Sequence, residues 1–210
     1  MPRRSTILFF FAKAAVLYGI CLVPSLPLLD GYRAVFQRGI RVLFQTVGGD
    51  GRVYVEAIPD SGRGQDTRLT LENAKKPGPK ATMEINGRVM GYQPTCFLLA
   101  LGLATPVPWR RRGAGLMVGM VLVSAFVAFT VYLQLLSVFS ADHALGIYSL
   151  PEWFRTFLGV LRKVLVVAPA AAYIVPASIW MGVFLRRGEW FFPAPAVSGE
   201  RISRNGASKA

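Results

Sequence analysis

Four residues in this chain could do covalent or proton-transfer chemistry: Cys21, Cys96, His143 and the neighbouring Asp142. A cysteine beside a histidine makes a thiolate nucleophile, and a serine, histidine and aspartate within hydrogen-bond reach make an acyl-transfer triad. His143 is the only histidine, so it would have to be the base in either arrangement. Cys96 with His143 is the pairing that a membrane hydrolase would need. The plainer reading fits the positions better. Both cysteines fall in apolar runs, where a free thiol behaves as a small hydrophobe, and His143 falls in a short polar loop. One histidine without clustered carboxylates cannot fill a metal coordination shell, and no glycine-rich phosphate loop is present. The sequence therefore points to no catalytic set, no metal site and no cofactor.

Polar groups inside apolar runs are the next place for function to show. Lys13 lies about two turns into the first run, where its long stem can carry the ammonium out to lipid headgroups. Thr130, Gln134 and Ser137 recur at i, i+4 and i+7, giving one helix face hydrogen-bonding groups. Gly115 with Gly119, and Ser178 with Gly182, are four residues apart, a spacing that lets a second helix backbone approach closely. These seven residues are the candidates for helix packing or partner contact. A transport path, the alternative function, would call for more intramembrane charge or for repeated halves with broken helices.

The elements that must position these residues follow from composition and pattern. The chain has 210 residues, 53% of them apolar, with 24 Lys+Arg against 11 Asp+Glu. Its cations cluster beside apolar runs or intermix with acids, and no DNA- or RNA-binding motif accompanies them. Nucleic acid is thus excluded as a partner, and anionic lipid headgroups account for the positive balance. With both cysteines in apolar runs, no disulfide framework is available to the exposed part.

The predicted fold class is a membrane α-helical protein: four transmembrane helices with a small α+β extracytoplasmic insert between the first and second. Residues 1–4 form a basic cytoplasmic lead and 5–29 the first span. A cleaved signal peptide is the rival for this stretch, but the apolar core is long and no small-x-small site precedes Asp30. Residues 30–90 form the insert. It opens with an amphipathic helix over 31–47, whose apolar positions fall at i, i+3, i+4 and i+7. Three strands with period-two alternation follow at Arg52–Ile58, Thr67–Glu72 and Ala81–Asn86, a meander separated by turn residues. The second span is 91–109, the cytoplasmic arginine turn 110–113 and the third span 114–140. Residues 141–163 form an outer loop and interfacial helix, 164–185 the fourth span and 186–210 a disordered cytoplasmic tail.

Short cytoplasmic loops collect arginine, and tryptophan marks the headgroup level. Trp109, Arg110, Arg111, Arg112, Arg186 and Arg187 are accordingly the topology anchors. Four crossings with these residues inside make the protein multi-pass with both termini in the cytoplasm. The 30–90 segment mixes ten cations with seven acids, but charge in so long a loop weighs little in this rule.

Gly91-Tyr92, the run Phe97–Pro106 and then Trp109-Arg110-Arg111-Arg112 resemble the bacterial exosortase H-associated membrane proteins. The layout is similar too, with one span, a small exported β-rich part and three more spans. The resemblance implies a non-catalytic accessory, multi-pass in the bacterial inner membrane, of a system that sorts C-terminally tagged proteins to the cell surface. Its partners would be membrane lipids and an exosortase or its tagged substrates. It implies no catalytic residue in this chain, because the cysteine transpeptidase of such systems is a separate protein.

Overall fold

Prolines decide where the apolar runs stop being helices. The computed structural model describes residues 4–23, 27–47, 50–58, 65–75, 80–141, 150–168 and 170–185. Helix α1 spans Arg4–Leu22 and ends just ahead of Pro24. Helix α2 spans Pro27–Phe44, four residues ahead of the expected start, with Pro27 at a first-turn position where its missing N–H costs nothing. After the strands, a π-helical turn over Arg88–Tyr92 leads into α3, Gln93–Ala104. α3 stops because Thr105 precedes Pro106 and takes an extended ψ of 123°; the proline ring disfavours the helical region for its predecessor.

The chain re-enters helix as α4, Trp109–Ala141, which contains no proline and runs unbroken for 33 residues. α5 spans Glu152–Arg162 and continues as a π-helical stretch to Val167. Ala168, the residue before Pro169, is extended with ψ 115°, repeating the effect seen at Thr105. α6 covers Ala171–Trp180, followed by π-helical Met181–Leu185.

The expected fold of four spans does not form. Among the described residues, only α4 is long and apolar enough to cross a membrane. A second crossing would need Glu152–Val166 and Ala171–Phe184, bent 77° from one another, to act together. The apolar part of α1 is confined to Ile7–Leu22. The 12 residues of α3 rise only about 18 Å, against roughly 30 Å of hydrocarbon. α3 is apolar all round for another reason: it packs against α1, α4 and α6, and a helix enclosed by neighbours needs no polar face. The count of crossings falls from four to one, or to two if the bent pair acts together. The expected arginine turn is no loop, since Trp109–Arg112 are the first helical turn of α4.

The strands form one antiparallel meander in the order β1 (Thr46–Val47), β2 (Gly51–Ala57), β3 (Thr67–Asn73) and β4 (Lys80–Ile85). Val53 stands opposite Leu71, and Val55 opposite Leu69. Period-two alternation turns these four side chains to one face, where they are buried with Ile85. Phe36, Ile40 and Phe44 of α2 cover them. On the other face Arg68 pairs with Glu84 at 3.0 Å and Lys80 with Glu72 at 3.8 Å, exposed pairs that contribute little. The same core continues through α4, whose Val123, Val127, Val131, Leu135 and Phe139 form a buried stripe.

Candidate functional site

α2 is held against the sheet by polar side chains as well as by the buried Phe36, Ile40 and Phe44. Arg33, Gln37 and Arg41 recur every four residues, so one stripe of α2 donates hydrogen bonds to strand-end and loop carbonyls. Arg33 Nη2 donates to Ile58 O and to Asp66 O, Gln37 Nε2 to Thr67 Oγ1 at 3.2 Å, and Arg41 Nη2 to Val55 O at 3.3 Å. Asp66 joins three elements. Its backbone carbonyl accepts from α2, while its carboxylate accepts from Thr67 Oγ1 and from Gly87 N–H, both at 2.9 Å. Phe36, Ile40 and Phe44 take the apolar contact with the sheet, while Val35, Val42 and Leu43 remain exposed on α2.

Beside that exposed strip an apolar groove of about 170 Å³ opens between α2 and α4. Val35, Gly39 and Leu43 form one wall; Ser124, Val127, Ala128 and Val131 form the other. Tyr32 lies at its edge, where burial pushes the phenol above its ordinary value and keeps it neutral. The outer surface of α4 is apolar as well, with Met117, Val118, Val121 and Leu122 all exposed. On α5 a second strip, Trp153, Phe157, Val160 and Val164, is exposed at helical spacing. The opposite side of α5 sets Leu158 against Leu133 and Leu136 of α4. Contiguous exposed apolar surface on this scale marks a membrane or partner contact.

The candidate packing residues divide into two groups. A Cβ on Gly115 would lie 2.7 Å from the Phe184 ring, and one on Gly119 would lie 3.0 Å from Leu98. Both glycines therefore serve the protein's own helix packing. Thr130 is buried and bonds Val127 O of its own helix. Gln134 Nε2 meets Met90 Sδ at 3.4 Å, and the Ser137 hydroxyl accepts from Arg162. That polar stripe is thus used internally. Ser178 and Gly182 differ, being exposed, with open space around Gly182.

Of the anchors, Trp109, Arg110 and Arg111 are exposed, whereas Arg112 turns back. Its guanidinium lies 4.5 Å from the Trp109 ring centre and donates to Thr105 O and Val107 O. It thereby closes the corner left by the proline break. Trp180 Nε1 donates to Thr105 Oγ1 at 2.9 Å and ties α6 to the same corner. Arg186, Arg187, Asp142 and His143 lie outside the described residues, so the Cys96–His143 pairing does too.

Compared with protein families, curated proteins and solved structures, the chain matches none. Among the described residues no group of three or more His, Cys, Asp or Glu could hold a metal ion. The bonds of Asp66 to Arg33, Thr67 and Gly87, and those of Thr105 to Arg112 and Trp180, are pairings the sequence reading did not contain. The i, i+4, i+8 polar stripe of α2 and the Thr-Pro dipeptide after α3 were their available signals.

Proposed function

We propose that this protein is a non-catalytic accessory of the bacterial inner membrane, anchored through α4, that acts by binding a membrane partner. The observation that carries the reading is the exposed apolar surface of α4. Met117 is 69% exposed and Val121 66% exposed on a helix of 33 residues, which suits lipid and not water. The sheet layer and α2 then sit beside the bilayer, with the α2–α4 groove as the partner's point of entry. The resemblance of Gly91–Arg112 to exosortase H-associated proteins supplies the partner class, an exosortase or its tagged substrates.

Val121→Lys tests the anchoring. On a lipid-facing helix a central lysine costs about 2.5–3.5 kcal/mol of insertion, so the variant should shift from the membrane pellet into the carbonate-soluble or degraded fraction. Unchanged membrane retention and abundance would refute it. A photocrosslinker at Leu43 then tests the groove. A crosslink to an exosortase or a tagged substrate supports the role, and adducts to lipid alone oppose it.

A further inference from the structure

We propose that Cys21 and Cys96 form a redox-active pair that closes into a disulfide stapling α1 to α3. The two helices run antiparallel, and three levels of contact fix their register. Ala14 and Phe10 pack with Leu101 and Ala104; the Tyr18 and Phe97 rings stand 5.4 Å apart; and Tyr92 Oη donates to Cys21 O at 2.6 Å. Each step along α1 toward its C-terminus is matched by a step toward the start of α3. Cys21 therefore arrives opposite Tyr92, and Cys96 stands one turn further along α3, between the Tyr92 and Phe97 contacts. Cys96 is buried there, with the Tyr92 hydroxyl and the Cys21 thiol in its electrostatic surroundings.

Their unequal exposure orders the chemistry. Cys21 is half-buried at the last turn of α1, and Cys96 is 4% exposed. A disulfide oxidant such as oxidised glutathione meets Cys21 first. The Cys21 thiolate attacks one glutathione sulfur, breaking the oxidant's S–S bond and expelling one glutathione thiolate. The Cys96 thiolate then attacks the Cys21 sulfur and expels the second glutathione. The protein loses two protons and two electrons, and the oxidant is reduced to two thiols. The bond demands Cα atoms roughly 4.4–6.8 Å apart, a separation that tightly packed helices can supply.

The test uses the full chain in mild detergent, exposed to oxidised glutathione, quenched with N-ethylmaleimide and mapped by mass spectrometry without reductant. The expected product is a Cys21–Cys96 linked peptide, with alkylatable thiols falling from two to none. In C96S the reaction should stop at a Cys21–glutathione adduct. In C21S, Cys96 should react at least about tenfold more slowly than Cys21 does in C96S, as burial dictates. Wild-type protein that keeps two alkylatable thiols, stops at the glutathione adduct or forms only dimers between chains would overturn the proposal.

Discussion

The corner at Thr105 offers a clean measurement, because a single isosteric change removes one hydrogen-bonding group and little else. Thr105 is fully buried. Its hydroxyl accepts from Trp180 Nε1 at 2.9 Å and donates to Leu101 O at 2.6 Å. Thr105→Val keeps the β-branch that suits the extended backbone there and leaves the indole N–H without its acceptor. A buried donor stripped of its partner costs about 1–3 kcal/mol. Trp180 is only partly buried, so water can reach it and the lower half applies, about 1–2 kcal/mol. For a protein of this size each kcal/mol moves Tm by about 2–4 °C, giving a fall of roughly 2–8 °C. Thermal unfolding in detergent, followed by circular dichroism, should be run on T105V, on W180F and on the double variant. The two changes should couple by about 1 kcal/mol, as contacting groups do. T105V melting with the wild type, or effects adding to within about 0.3 kcal/mol, would refute the claim that this bond holds α6 to the corner.

Four further outcomes follow. Gly119→Leu should destabilise by about 1–3 kcal/mol, since even a Cβ there meets Leu98 at 3.0 Å and overpacking strains a filled interface; the midpoint of detergent unfolding reads it. Gly19→Ala, with nothing within 4 Å of the new methyl, should stabilise α1 by up to about 1 kcal/mol in the same assay. Leu69→Ala removes a fully buried side chain between β2 and β4 and should cost about 2–5 kcal/mol, seen as early proteolysis of the sheet layer. Oxidised protein should melt above reduced protein. Closing a loop of this length is worth about 4 kcal/mol in the chain-entropy account, and the difference should vanish in C21S.

Local patterns decided much of this protein without help from its neighbours. The apolar spacing of α2 and the alternation in Val53, Val55, Leu69 and Leu71 are properties of adjacent residues, and both stand in the structure as the helix and sheet that share a core. Pro106 and Pro169 also act locally, on Thr105 and Ala168. Run length alone predicts four spans, but a run broken at such a proline is too short to cross, and one unbroken helix stands in their place.

Tertiary structure alone decided which apolar helix would be enclosed and which exposed. α3 and α4 look alike in composition, but α3 is packed by three helices while α4 keeps an apolar side open. Hydrophobicity reports only that a surface avoids water; it does not say whether protein or lipid will cover it. The same holds for Tyr92, whose hydroxyl reaches the Cys21 carbonyl across two antiparallel helices, and for Arg112, which folds back onto the carbonyls of a broken corner. Such pairings arise from distances between segments remote in the chain, and no spacing within a single run encodes them.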